Sequence, residues 1–159
     1  MAKKKEEKPE PRLLTDMSGL GTYDYNVDIE LTDGETVRIP MKTLSLKAWN
    51  EAGADVADPV PPINGVDKFE RPIHDHSDPT YARLMNEAAN LRAYKRLLVA
   101  LKIDVPGETD AERIEWLETE LDFGVAQTLV EVMAKQASDV EARVAKRAAS
   151  FPANGASDT

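Results

Sequence analysis

The sequence contains no cysteine among its 159 residues. This absence excludes disulfide bonds, thiolate metal sites and a cysteine nucleophile. A chain without disulfides is typical of a reducing compartment, so we expect the protein in a cytoplasm. No stretch approaches the roughly 20 apolar residues of a membrane-crossing helix. The charged start, "MAKKKEEKPEPR", lacks the apolar segment of a secretory signal, and we expect no membrane partner.

Aromatic residues are scarce, at 6% of the chain, whereas hydrophobic residues make up 42%. The core should therefore be mainly aliphatic. The length suffices for one domain with its own core, and we place a single, mostly helical α+β domain at residues 21–151. Residues 1–20 and 152–159 lack apolar periodicity, and we predict that both are disordered tails.

The chain also lacks an excess of positive charge. It has 20 Lys and Arg residues against 29 Asp and Glu residues, which gives a net charge of −9. A general nucleic-acid binder neutralises phosphates with a basic surface, and the lysines at residues 3–5 are offset by nearby glutamates. The composition therefore argues against nucleic acid as a partner.

Motifs of catalysis and cofactor binding are missing as well. No Gly-rich loop follows a predicted strand, which leaves out a Walker motif and a dinucleotide fingerprint. No isolated pair of carboxylates stands in an obvious apolar pocket, as acid–base catalysis would need. We therefore predict no catalytic residues, no cofactor and no enzymatic activity.

Only two histidines are present, and both lie in the segment "RPIHDHSDPTY". His74 and His76, with Asp75 or Asp78, could offer nitrogen and oxygen ligands to zinc. The other interpretation is the start of a helix, because Asp78 is a good N-cap and Pro79 suits the first helical position. No His-Glu-x-x-His or comparable motif supplies a further ligand, so we favour the helix start and predict no metal site.

Alternation of apolar and polar residues marks the first regular element. The apolar positions are Tyr23, Tyr25, Val27, Ile29 and Leu31, followed after Asp33-Gly34 by Val37, Ile39 and Met41. Period two predicts strands, and Asp-Gly supplies the positive φ of a tight turn. We predict an antiparallel hairpin at residues 22–41. Two strands alone are marginal in water, so helices or another subunit must cover its apolar face.

A short helix and a long connector follow the hairpin. We predict the helix at residues 44–52, with Thr43 or Ser45 as N-cap and Gly53 as C-cap. The connector at residues 53–78 is rich in proline, so it cannot be helical, and it is longer than most loops in compact domains. A loop of this kind is either functional or loosely ordered.

Helical periodicity extends over residues 79–151, which we predict to form a helical bundle. Its first helix should run from Pro79 to about Lys102, and the next should open with a capping box at Thr109 and Glu112. One helix, or two separated near Ser138-Asp139, should follow. The apolar stripes of this last part are Val125, Leu129, Val132 and Met133, and then Val140, Val144 and Ala148.

Charge is unevenly distributed over the bundle. Residues 104–122 contain eight acidic residues and one arginine, whereas residues 79–102 contain five basic residues and one glutamate. We favour pairing between these two helical segments, which would set their packing orientation more than their stability. The alternative is that the basic stripe faces an acidic partner.

The order of these segments resembles a known family. The hairpin is followed by "LSLKAWNEAG", by the proline-rich "ADPVPPINGVDKFERPIHDHSDPTYARL" and by helices with "LKIDVPGETDAERIEWLETEL". Over roughly residues 23–150 this layout is similar to the tail assembly chaperones of long-tailed bacteriophages. The resemblance implies a non-catalytic protein of the host cytoplasm that keeps the helical tape-measure protein soluble, often self-associates and is absent from the finished virion. The alternative is a small structural component of the virion, such as a tail or head–tail connector protein.

Five apolar side chains are candidates for partner contact. Val27 and Ile29 qualify because the hairpin needs a cover, and a neighbouring copy could supply it. By the resemblance, the candidates on the last helical segment are Leu129, Val132 and Met133. Packing in the protein's own core explains these helical positions equally well, and the sequence leaves both interpretations open.

Overall fold

The computed structural model describes residues 10, 11, 13, 15–17 and 21–138. Within them it contains an N-terminal antiparallel hairpin, a second small hairpin and four helices, which confirms the predicted α+β class. The rest of the predicted N-terminal tail lies outside the described residues, as do the helical segment at 139–151 and the tail at 152–159. None of the helices in the described part is long and apolar enough to cross a membrane.

Eight elements follow one another along the chain. They are β1 (Asp24–Glu30), β2 (Thr36–Lys42), α1 (Leu46–Ala52), β3 (Ile63–Val66), β4 (Pro72–His74), α2 (Pro79–Ala100), α3 (Asp110–Thr119) and α4 (Phe123–Ser138). The two sheets each have two strands, β1 with β2 and β3 with β4. The predicted break near Ser138-Asp139 lies at the limit of the described residues.

The first hairpin closes through a short loop that needs glycine. The Gly34 N–H donates to Leu31 O at 2.9 Å, and the Leu31 N–H donates to Glu35 O at 2.7 Å. Gly34 has a φ of 85°, the left-handed conformation that closes three-residue hairpin loops and that glycine adopts without strain. The positive φ predicted for Asp33-Gly34 is therefore confirmed at the glycine.

The apolar face of the first hairpin forms the core together with α2 and α4. The buried members of this cluster are Tyr25, Val27, Ile29, Met41, Leu97, Ala100, Leu129 and Met133. Full burial of a large apolar side chain is worth about 1.5–3 kcal/mol relative to exposure. The Tyr23 hydroxyl also donates to Gln136 Oε1 at 2.6 Å, which ties the start of the hairpin to α4. Helices of the same chain thus cover the face that the sequence left in need of a partner.

The start of α1 decides between two candidate caps. Ser45 Oγ accepts a hydrogen bond from the Ala48 N–H at 3.2 Å, so Ser45 is the N-cap. Thr43 has a different task, because its buried hydroxyl accepts a hydrogen bond from the Tyr23 N–H at 2.9 Å. Gly53 is the C-cap, as predicted.

The starts of α2 and α3 follow the predicted capping chemistry. Asp78 Oδ1 accepts a hydrogen bond from the Tyr81 N–H at 2.8 Å, and Pro79 occupies the first helical position. Thr109 and Glu112 form the reciprocal capping box of α3. Each of these bonds joins residues at most four positions apart, which is why the sequence alone predicts them.

The connector at residues 53–78 is not helical, as predicted, but it contains a second hairpin that the sequence pattern did not predict. β3 and β4 pair antiparallel, with Ile63 opposite His74 and Val66 opposite Pro72, and the register shifts between these pairs. Proline at the start of β4 and Gly65 within β3 interrupt the period-two alternation that marks a strand. The segment therefore resembles a loop in its sequence.

Candidate functional site

An exposed hairpin carries a group of apolar side chains. We call residues 60–75, which comprise β3, β4 and their flanks, the arm. Every residue of both strands is exposed. The large apolar side chains on the arm have exposed fractions of 78% for Val60, 64% for Ile63, 64% for Val66, 64% for Phe69 and 48% for Ile73. Several large apolar side chains exposed along one short segment are a feature of protein-binding sites.

A network around one carboxylate orders the tip of the arm. Asp67 Oδ1 accepts hydrogen bonds from the Phe69 N–H at 2.8 Å and the Arg71 N–H at 3.0 Å. Asp67 Oδ2 accepts another from Arg71 Nε at 2.8 Å. The Arg71 backbone N–H, with smaller contributions from the Phe69 N–H and the Arg71 guanidinium, holds the pKa of Asp67 below its usual value. The tip is therefore held by interactions within five residues of chain.

Strain is concentrated at the same tip. Glu70 has a φ of 61° and is the one non-glycine residue with positive φ in the described part of the chain. It occupies the position that Gly34 takes in the first hairpin, since the Glu70 N–H donates to Asp67 O at 3.0 Å and the Asp67 N–H donates to Arg71 O at 2.9 Å. A left-handed conformation costs a side-chain-bearing residue about 1–2 kcal/mol. Strain of this kind clusters at functional sites.

Two cations lie close to the aromatic ring at the tip. Lys68 Nζ is 5.0 Å from the centroid of the Phe69 ring, and Arg71 Cζ is 5.1 Å from it. Each such contact is worth about 0.5–1 kcal/mol at an exposed site. The tip thus presents an aromatic side chain that a partner can cover from outside, with positive charge beside it.

The segment that leads into the arm, residues 55–58, is anchored to α2 and forms the base of the arm. Arg92 Nη2 donates to Val56 O at 2.8 Å and also pairs with Asp58. Lys95 pairs with Asp55, whose pKa it lowers through that hydrogen bond. Both basic side chains are largely covered, which reduces solvent screening of these contacts. The arm therefore leaves a fixed position on the longest described helix.

The remaining cations of α2 also have partners within the chain. The Arg96 guanidinium lies 4.3 Å from the Trp49 ring centroid, and its Nε donates to Trp49 O at 3.1 Å. Burial, and then the charge of Arg92, lower the pKa of Arg96, which remains protonated. Just beyond the helix, Lys102 pairs with Asp24 of β1.

The charge complementarity predicted between α2 and the acidic segment at residues 104–122 does not take the form of direct ion pairs. Among the described residues no ion pair joins the two. Arg92 and Lys95 pair instead with acidic residues of the connector, and Arg83 pairs with Glu87 within α2. The acidic segment keeps one internal ion pair, between Arg113 and Asp110 at 3.0 Å.

A shallow depression of about 290 Å³ forms a second distinctive surface, where the end of α2 meets the start of α3. Its apolar lining consists of Leu98, Val99, Ile103 and Val105. Its polar lining consists of Asp104, Asp110 and Arg113. The depression combines exposed apolar surface with the start of the acidic segment.

The structure places most of the sequence-predicted partner residues inside the protein. Val27, Ile29, Leu129 and Met133 are buried in the core, and Val132 is half-buried against it. The apolar face of β1 and one face of α4 cover each other, so packing accounts for these side chains. Five exposed large apolar side chains lie instead on the arm, in a connector where the sequence analysis named no partner residue. The sequence did contain an indication of this site. The segment has large apolar residues, but it is too rich in proline to be a core element.

The two histidines belong to the entrance of α2. His74 Nδ1 lies 3.1 Å from Pro61 O, so this nitrogen donates to the carbonyl. The His76 ring meets the Tyr81 ring edge-on, with centroids 5.8 Å apart. Together with the Asp78 cap, these contacts confirm the predicted helix start. In residues 21–138 and the few described residues before them, no group of three or more His, Asp or Glu side chains is placed to hold a metal ion.

Comparison with known proteins adds no relative to this picture. None of the protein-family models, curated proteins or solved structures compared with the chain matches it. What the described surfaces offer chemically is apolar area, an aromatic ring close to two cations and an acidic depression. Such groups are suited to binding a macromolecule.

Proposed function

We propose that this chain is a non-catalytic binding protein that acts as a tail assembly chaperone. In this role it would hold the tape-measure protein of a long-tailed bacteriophage in solution in the host cytoplasm. The observation that carries the proposal is the arm, with its exposed apolar side chains on an anchored base. The order of hairpin, proline-rich segment and helices supports the more specific part.

The arm has the properties that such a chaperone needs. A long apolar helical partner must be bound through its apolar face, and the arm presents five large apolar side chains. Full burial of each is worth up to about 1.5–3 kcal/mol, against an association cost of roughly 4–15 kcal/mol. This balance favours a reversible complex, as a chaperone requires. A net charge of −9 favours solubility in a protein that exposes such side chains.

The proposal is tested by co-expression with a tape-measure-like helical protein. We expect the wild-type chain to keep that protein soluble and to co-purify with it. An Ile63→Ser/Phe69→Ser variant of the arm should lose both effects, because its apolar contact surface is reduced. A matched control is Leu46→Ser/Phe123→Ser, which removes two side chains that are each 77% exposed but lie off the arm.

Both outcomes of this experiment are informative. Loss of the soluble partner with the arm variant, and retention with the control, supports the chaperone function. Equal retention by both variants contradicts docking through the arm. Circular dichroism of each variant checks that the helices remain intact.

One observation favours a second candidate function. Because β3 and β4 form a sheet of only two strands, each keeps an outer edge at which a neighbour's strand can pair. A structural virion protein could join its neighbour in this way. Mass spectrometry of mature particles separates the two functions, since abundant presence at a fixed copy number supports the structural role and absence supports the chaperone.

A further inference from the structure

We infer that the depression between α2 and α3 binds a basic amphipathic helix of a partner protein. This surface is separate from the arm, and the inference does not rest on the proposed function. It follows from the size of the depression, from its exposed apolar lining and from the charge around it.

The dimensions of the depression favour side chains of a macromolecule as its occupants. Pockets for whole small molecules measure about 300–1,000 Å³ and enclose their ligand. This depression measures about 290 Å³ and is open to solvent. It can therefore take one or two apolar side chains that enter from outside.

The apolar lining is exposed enough to be used. Val99 is 39% exposed and Ile103 is 48% exposed, whereas Val105 behind them is buried. Val99 and Ile103 therefore keep part of their apolar surface open to solvent in the described part of the chain. An apolar anchor from a partner would cover both at once.

The charge around the depression selects a basic partner. Asp104 forms no ion pair among the described residues, and Asp110 is paired only with Arg113. Residues 104–122 contain eight acidic residues and one arginine, and among the described residues no ion pair joins α2 to this segment. The negative field at this surface is therefore not cancelled internally, and it favours lysine and arginine.

The same charge argues against other occupants. A second copy of this chain carries the same net charge of −9 and would be repelled. Nucleic acid and anionic lipid surfaces are repelled for the same reason. A helix that lies between two helices uses apolar residues at i, i+3, i+4 and i+7, which leaves its other faces free to carry the basic residues.

The test uses a synthetic peptide of about 15 residues, long enough to form a helix on binding. It has leucine at the i, i+3, i+4, i+7 positions and lysine elsewhere, and a matched peptide has glutamate in place of lysine. Fluorescence anisotropy with the full-length chain measures Kd at a salt concentration of about 0.15 M, where long-range attraction is screened. We expect the lysine peptide to bind and the glutamate peptide not to bind.

Two variants locate the binding. Ile103→Ser/Asp104→Asn should weaken binding of the lysine peptide by about tenfold or more, because it removes an apolar contact and a charge at one place. The control, Leu46→Ser/Glu30→Gln, removes the same kinds of group at positions off both the depression and the arm, and it should change Kd by less than about twofold. The urea midpoint of each variant checks that the fold is retained.

Three results would overturn the inference. Equal weakening in both variants would show non-specific attraction to an acidic protein. Equal binding of the glutamate peptide would show that charge does not select the partner. The third result is that the lysine peptide binds a Lys3→Gln/Lys4→Gln/Lys5→Gln variant but not the wild type. The surface would then belong to the protein's own N-terminus, whose lysines exclude the peptide in the wild type. Each of these leaves the co-expression result for the arm standing.

Discussion

Replacement of Leu129 by alanine tests whether this side chain stabilises the core or contacts a partner. The side chain is only 2% exposed and belongs to the cluster that unites the first hairpin with α2 and α4. Leu→Ala at such a site removes buried methyl groups and leaves a cavity, at a cost of about 2–5 kcal/mol. Alanine's better helix propensity returns only a few tenths of a kcal/mol. We therefore expect a large loss of stability.

Urea unfolding followed by circular dichroism measures this loss. With an m-value of about 2 kcal/mol/M, the midpoint should fall by about 1–2.5 M. The matched variant is Ile63→Ala on the arm, whose side chain is 64% exposed and whose loss should change stability by about 0.5 kcal/mol or less. The reasoning is refuted if Leu129→Ala unfolds at the wild-type midpoint while partner binding is lost, because Leu129 would then be a surface anchor.

The remaining predictions concern pH and backbone strain. Burial, followed by the neighbouring Tyr23, raises the pKa of Tyr25 to about 12, against about 10 in the unfolded chain. From pH 10 to 12 the native state therefore keeps a proton that the unfolded state has lost, so stability falls by up to about 1.4 kcal/mol per pH unit. Urea midpoints should show this added fall in the wild type and not in Tyr25→Phe, and an equally steep fall in both would contradict it. Glu70→Gly should relieve the positive φ of 61° and slow amide exchange in the arm several-fold, for a gain of about 1 kcal/mol. Glu70→Ala, which loses the same charge but keeps the strain, should show no slowing, and faster exchange in Glu70→Gly would argue against strain at this position.

The elements that could be predicted from the sequence are those whose interactions are local. The first hairpin followed from period-two alternation and from Gly34 in its loop. The starts of α2 and α3 followed from Asp78 and from the Thr109 capping box, because donor and acceptor lie within three residues. The second hairpin escaped prediction, since its loop places Glu70 where glycine is typical and its strands are too short and irregular to alternate.

The candidate site was less predictable than the fold, because exposure is a property of the assembled molecule. Leu129 and Ile63 are both large apolar residues, and nothing within a few positions of either tells which one is buried. The same is true of charge, since Arg92 and Lys95 find acidic partners more than 30 positions earlier in the chain. The sequence by itself determined the α+β class, the starts of α2 and α3 and the first hairpin, through contacts along a short stretch of chain. Only the tertiary structure decided that the predicted partner residues pack in the core, that the cations of α2 anchor the connector, and that the arm is exposed, because each depends on which distant segments come together.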